Sequence, residues 1–213
     1  MLKSRLCIAF FAFAVGCAPA QKPLTDYVNP MLGTATLWDS VDLGFKPTKR
    51  TWGAEVFPGS SLPNAMVQVS PVTKFHSGAG YQYEDSVIYG FTHTNKGHWN
   101  LCHIPLLPVT GTPTPGDYCS PFSHERESAA PGYYQVFLDR YGVDAQLSST
   151  LRCAFHKYTY PAGAAASLLA DLQRSNEHVR AWDIRKEGDN VFAGWQQTGE
   201  KMYFYAVEIG RAS

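Results

Sequence analysis

Between Thr92 and His103 the sequence gathers three imidazoles (His93, His98, His103), two amides (Asn95, Asn100), the indole of Trp99 and the thiol of Cys102. Two chemistries suit such a run. His93, His98, Cys102 and His103 are nitrogen and sulfur donors of the kind zinc accepts, but their spacing fits no tetrahedral ligand pattern. A sugar-binding loop is the better reading. Trp99 offers a flat apolar face to the C–H side of a pyranose, and His98, Asn95 and Asn100 can donate to and accept from its hydroxyls. The plain alternative is an aromatic-rich loop packed as filler. Glycoside hydrolysis would need two carboxylates, and the loop candidates are Asp39, Asp42, Glu55, Glu84 and Asp85. Of these Glu55 is flanked by Trp52, Gly53, Phe57 and Pro58, which suits a ligand-facing rim; solvated surface charge is the default for the rest. No Gly-x-Ser-x-Gly elbow, phosphate-cradling glycine loop or His-Glu-x-x-His helix occurs.

The elements that must hold these loops read as strands. Val143, Ala145, Leu147, Ser149 and Leu151 alternate with Asp144, Gln146, Ser148 and Thr150, a period of two that marks a half-buried strand. Similar runs cover 65–70, 133–139, 152–160, 167–171, 190–196 and 202–208, punctuated by Pro-Gly, Gly-Asp and Gly-Val turns. One helical turn is expected near 175–180. Many short strands with little helical periodicity predict an all-β protein, an antiparallel β-sandwich. The 213 residues, 45% hydrophobic and 14% aromatic, suffice for a real core. The 18 basic and 18 acidic residues form no basic run, which excludes nucleic acid as a partner.

The first residues read as an address. Lys3 and Arg5 precede an apolar stretch, 6–15, too short to span a bilayer but right for an export signal. Ala14-Val15-Gly16-Cys17 fits a bacterial lipoprotein box with Cys17 as the acylated residue, and is favoured over an A-x-A ending at Ala18-Pro19-Ala20. Residues 1–17 are then leader, 18–26 a tether, and 27–213 one sandwich domain, incomplete at its C-terminus if more chain follows. The protein is expected to be an exported lipoprotein of a bacterial envelope, periplasmic or on the outer-membrane surface, touching membrane only through that anchor. Removing Lys3 and Arg5 from the 18 basic residues leaves 16 against 18 acidic ones, a net charge of −2. Cys102, Cys119 and Cys153 remain, enough for one disulfide of undetermined pairing, with Cys153 expected to be buried as a small hydrophobe.

The segments 27–34 (YVNPMLGT) and 57–71 (FPGSSLPNAMVQVSP) resemble the opening of the bacterial glycoside hydrolase family 92 α-mannosidases. The similarity continues, in order, through 80–85 (GYQYED), 88–94 (IYGFTHT), 132–138 (GYYQVFL), 150–161 and 168–172. The resemblance implies an N-terminal β-sandwich that in this family packs against a larger (α/α)6 barrel, forming exo-acting, inverting, calcium-dependent α-mannosidases. The family's catalytic acid, base and calcium ligands lie in that barrel, so none transfers to this chain, and hydrolysis by it alone does not follow. Family loops near the sugar map onto Gly33, Thr34, His93, Thr94, His98 and Trp99, with Glu55 kept as a further substrate-facing candidate. Many members continue the His-Thr motif with His-Leu-Ser-Gly, where 95–99 here reads NKGHW, so the rim of the leaving-group site differs; 38–52 is a longer insertion than usual. The expected function is the carbohydrate-site domain of an α-1,2-mannosidase-type hydrolase acting on mannose-containing glycans. The alternative is a non-catalytic, lectin-like surface lipoprotein.

Overall fold

The computed structural model describes residues 22–37, 44–46, 56–96 and 99–210. Glu55, His98, the Cys17 lipoprotein box and most of the 38–52 insertion lie outside them. In chain order the strands are β1 (Ser60–Ser61), β2 (Gln68–Val72), β3 (Val87–Ile88), β4 (Gly90–Thr92), β5 (Asn95–Lys96) and β6 (Trp99–Asn100). They continue as β7 (Leu106–Thr110), β8 (Ser120–Pro121), β9 (Glu127–Ala130), β10 (Tyr133–Leu138) and β11 (Val143–Ser149). The last five are β12 (Ala154–Thr159), β13 (Ala166–Ala170), β14 (Ala181–Gly188), β15 (Val191–Gln197) and β16 (Lys201–Val207).

Two antiparallel sheets make the sandwich. One has the order β1-β2-β4-β7-β13, the other β12-β11-β10-β9. The alternation read in 143–151 is what seats the second sheet: Val143, Ala145 and Leu147 are buried with Tyr134, Val136 and Leu138, and they meet Val69, Phe91, Leu107 and Val109 of the first sheet in a single core. A polar staple crosses the gap, Ser60 Oγ donating to the Gly132 carbonyl and lying 2.7 Å from Ser149 Oγ. The fold is therefore the antiparallel β-sandwich that the sequence predicts.

A third antiparallel sheet, β14-β15-β16, is attached at one end. Its anchor is Gln196, fully buried, whose Oε1 accepts from the Ile104 amide at 2.9 Å while Nε2 donates to the Leu172 and Arg174 carbonyls at 3.0 and 2.9 Å. Gly194 is needed beside it, because a Cβ there would meet the Asp183 carbonyl at 2.2 Å and the Phe204 ring at 2.6 Å.

Three expectations are corrected. The helical turn near 175–180 is absent; the short 3-10 turns are Leu24–Tyr27 and His124–Arg126. Cys153 is exposed and Cys102 is the buried thiol, and all three described cysteines are free. Burial pushes the Cys102 thiol pKa up, so it is an inert filler rather than a nucleophile. The longest strands that the period-two reading overlooks are β7, buried along its middle and so without alternation, and β14, exposed along nearly all its length; the two- to four-residue strands β1, β3, β4, β5, β6, β8 and β9 are too short to show a period.

Replacing Gln196 by Leu would strand one amide and two carbonyls in the interior. A loss of about 3 kcal/mol or more is expected. Urea unfolding followed by circular dichroism measures it, with the exposed Gln173→Leu variant as the unaffected control.

Candidate functional site

The loop-rich end of the sandwich is assembled by side-chain amides. β5 and β6 form a two-residue hairpin with Asn95 opposite Asn100 and Lys96 opposite Trp99. Asn100 is fully buried: its Oδ1 accepts from the Cys102 amide at 2.7 Å, and its Nδ2 donates to the Ala79 carbonyl at 3.2 Å. The amide is thus committed to holding the loop, not free to meet a hydroxyl. Gly80, at φ +76, packs so closely on it that a Cβ would lie 2.6 Å from Nδ2. Asn176 repeats the device, donating from Nδ2 to the Ser77 and Asn100 carbonyls and accepting from the His76 amide at 2.6 Å. Asn95 differs, since both its amide atoms are buried without a partner among the described residues. Trp99 is half-buried on the hairpin.

Thr94 begins a buried hydrogen-bonded chain. Its Oγ1 accepts from the His103 amide and lies 3.0 Å from His103 Nδ1. His103 Nε2 is 3.0 Å from Thr198 Oγ1, which donates to Glu177 Oε2 at 2.5 Å. The order fixes the directions: Thr198 spends its proton on the carboxylate, so His103 must donate from Nε2 and accept at Nδ1 from Thr94. Burial lowers the pKa of His103, against the opposing pull of Glu177 and Glu200. Thr94 is thus a tether between the hairpin and the β15–β16 turn.

His93 faces elsewhere. Its Nδ1 lies 3.0 Å from the Ile104 carbonyl and its Nε2 3.0 Å from His156 Nε2 on β12, whose Nδ1 is 2.7 Å from the Tyr158 hydroxyl. A carbonyl only accepts, so His93 donates from Nδ1, His156 donates to His93, and Tyr158 donates to His156. Burial lowers the His93 pKa to about 4 and holds His156 well below the ordinary histidine range, where the neighbouring His93 lowers it further. Both rings are neutral bridges between the two sheets.

Gly33 and Thr34 form a further group. Thr34 is buried, donating from Oγ1 to the Met31 carbonyl at 2.8 Å, and its own carbonyl accepts from the Tyr83 amide. The carboxylate candidates next to it are loop staples: Glu84 accepts from the Thr36 amide at 2.7 Å and Asp85 from the Thr73 hydroxyl at 2.8 Å. The most buried carboxylate is one that sequence reading did not single out. Glu127, with a side chain 1% exposed, accepts from the Tyr81 hydroxyl at 3.0 Å and the Tyr134 hydroxyl at 2.6 Å. It also pairs with His124 Nδ1 at 2.6 Å. The other His124 nitrogen is 2.7 Å from the Tyr83 carbonyl, and the ring stacks on Tyr83 at 3.9 Å. Burial pushes the Tyr81 and Tyr134 hydroxyl pKa values up, which keeps them as donors. Only the His124-x-x-Glu127 spacing, one turn apart, hints at this cluster in the sequence.

Thr94 and Trp99 thus belong to one loop cluster, while His93 and the Gly33–Thr34 pair hydrogen-bond into two others. Among the described residues no three His, Cys, Asp or Glu side chains come together to hold a metal ion. No helix there is long and apolar enough to cross a membrane.

Residues 27–208 match the Glycosyl hydrolase family 92 N-terminal domain. The chain belongs to this family. Among solved structures, a GH92 α-mannosidase from Bacteroides thetaiotaomicron superimposes with a TM-score of 0.73 at 27% identity, over 87% of this chain and 25% of that one. Its complex with mannoimidazole gives 0.72 at 28% identity, over 86% of this chain and 25% of that one. A GH92 inverting mannosidase from Bacteroides thetaiotaomicron VPI-5482 gives 0.64 at 25% identity, over 82% and 23%. The chain therefore spans about a quarter of the length of the GH92 mannosidases it matches. No curated protein matches it.

Two outcomes are expected. Because His93 and His156 stay neutral when folded, the unfolded chain binds more protons between about 6.5 and about 4; their stabilisation is full above that window and is lost as pH falls through it. Urea midpoints at pH 7, 5.5 and 4 should fall accordingly, and less steeply in a His93→Gln/His156→Gln double variant. Removing the ring that faces Glu127, by His124→Ala, takes one hydrogen-bond partner from a buried carboxyl group and should cost about 2 kcal/mol, read by the same unfolding curve.

Proposed function

We propose that this chain is the sugar-facing N-terminal part of an exported α-mannosidase-like glycoside hydrolase acting on mannose-containing glycans of the α-1,2 type. The observation that carries the reading is the GH92 match along 27–208, and the likeness to a mannosidase solved with mannoimidazole supports it. Within the chain, Trp99 on the β5–β6 hairpin is the group suited to a pyranose, a half-buried indole for its apolar face. Gly33, Thr34, His93, Thr94 and His98 remain in the proposed sugar-facing set by resemblance, and Glu55 by its aromatic and proline neighbours in the sequence. Thr94 and His93 act there through their tethers, setting where the hairpin sits. The described residues do not fit a calcium site, so no step is assigned to calcium, and the catalytic carboxylates and calcium ligands belong to the further domain that the resemblance implies. Acylation at Cys17 would hold the protein at the bacterial envelope. The second reading, a lectin-like lipoprotein, is favoured by the Trp99 hairpin being formed within this chain.

Calorimetric titration with mannose and α-1,2-mannobiose tests the proposal. Trp99→Ala should weaken binding about tenfold or more, the loss of one stacking face, with the circular dichroism spectrum unchanged. Binding that survives the substitution, or a variant that no longer folds, would remove Trp99 from the site. Turnover of a mannoside by this chain without any further domain would show that its catalytic carboxylates are here.

A further inference from the structure

A cavity of about 620 Å3 opens between the Thr73–His76 segment, Tyr89 and the stretch from Gln173 to Val179. It adjoins the loop cluster of the Trp99 hairpin, since the Asn176 amide donates to the Leu101 carbonyl and the Asn100 amide to the Gly78 carbonyl. Neither the tethers nor the hairpin accounts for the groups that line it.

Arg174 is the built part of this cavity. Its guanidinium carbon lies 5.4, 5.5 and 5.7 Å from the ring centroids of Phe75, Tyr89 and Tyr118, a three-sided aromatic setting that fixes a side chain which would otherwise be loose. One terminal nitrogen donates to the Tyr118 hydroxyl at 3.3 Å, and Nε is 3.9 Å from Asp171 Oδ2, the oxygen to which Tyr118 also donates. The other terminal nitrogen has no acceptor among the described residues. Its backbone is held as firmly, because the Arg174 carbonyl accepts from buried Gln196. The guanidinium edge is thus oriented before any ligand arrives.

The remaining lining leans the same way. Lys74 is exposed, and its ammonium has no partner among the described residues. His76 donates from Nδ1 towards the Asn176 carbonyl at 3.2 Å, which leaves Nε2 for a ligand, and His178 is exposed at the far side. The one carboxylate in the lining, Glu177, is drawn back by the Thr198 hydroxyl and the Gly199 amide. The Arg174 guanidinium, the Lys74 ammonium and two imidazoles supply donors and, with Glu177 tethered and the Asp171 carboxylate engaged by Tyr118, favour a ligand that is rich in acceptors and negatively charged. Phe75 and Tyr89, edge to face at 5.8 Å, add apolar ring surface beside the guanidinium.

We infer that this cavity binds a hexose carrying an anionic substituent, a phosphate or a carboxylate, with Arg174 and Lys74 on the charge and Phe75 and Tyr89 against the ring. The inference rests on the proposed glycan-facing role of this end of the domain and specifies which glycans it would distinguish.

The test is calorimetric titration of the chain with mannose, mannose 6-phosphate, mannuronate and inorganic phosphate, at low and at moderate salt. At least one charged sugar should bind tenfold or more tightly than mannose, with an advantage that shrinks as salt rises. Inorganic phosphate alone should bind more weakly than that sugar. Lys74→Gln, at an exposed position that folding does not need, should reduce the advantage several-fold, Arg174→Gln should abolish it, and Arg174→Lys should restore part of it. Equal affinities for charged and neutral sugars would overturn the inference, as would an advantage that survives Arg174→Gln, or inorganic phosphate binding as tightly as the sugar that carries it. If mannose binds in a Trp99-dependent way with no gain from charge, the cavity assignment fails and the mannoside reading stands. A charged sugar that binds through Arg174 while mannose and mannobiose give no heat leaves the cavity standing and removes the mannoside reading.

Discussion

Everything at the functional end of this domain depends on satisfying backbone groups that no strand pairs. A sandwich can bury loops only if their amides and carbonyls find partners, and here three side-chain amides supply them. Asn100 closes the turn into Cys102, Asn176 joins the 76–78 and 100–101 segments, and Gln196 ties the third sheet to Ile104, Leu172 and Arg174. These residues look like ligand-binding amides in a sequence and are scaffolding in the fold. Their saturation leaves the half-buried Trp99 as the hairpin side chain that the tethers do not use.

The buried titratable groups follow the same rule in three arrangements. His93 and His156 remain neutral by handing one proton direction along a chain that ends on a carbonyl. His103 remains neutral between two threonines, although a carboxylate closes that chain. Glu127 is instead surrounded by two phenols and an imidazole. For the three histidines burial is the largest cause of the neutral form, and the neighbours' donor and acceptor capacity fixes which nitrogen carries the proton.

The sandwich was legible in the sequence because β10, β11 and β12 each bury one face, so the period of two is written in their residue types. It was not legible at β7, whose middle is buried without contrast, or at β14, which has almost no buried side. Local pattern also misassigned Cys153, since which thiol is buried depends on the chain brought over it rather than on its sequence neighbours. The 92–103 run was recognisable as a special segment, but the division of labour inside it was not. That Asn100 is spent, Asn95 unspent and His93 turned towards β12 depends on Ala79, Thr92 and His156, residues up to 63 positions away in the chain. Glu127 and Arg174 stayed hidden for the same reason, because a lone carboxylate or guanidinium acquires meaning only from the rings and hydroxyls that tertiary structure brings round it.

The third sheet is tied to the sandwich at one end, through Gln196 and Thr198, while the far ends of β15 and β16 carry exposed Phe192, Tyr205 and Val207. Cooperativity in such an appendage decays with distance from its anchor. Amide protons near Gln196 should share the protection of the main core, and those near Asn190 and Glu208 should exchange through a partial opening that leaves the two-sheet sandwich intact. The sheet is then a separate, weaker unit of folding, and the loops at its anchored end, where the cavity and the hairpin tether lie, inherit the rigidity of the stronger one.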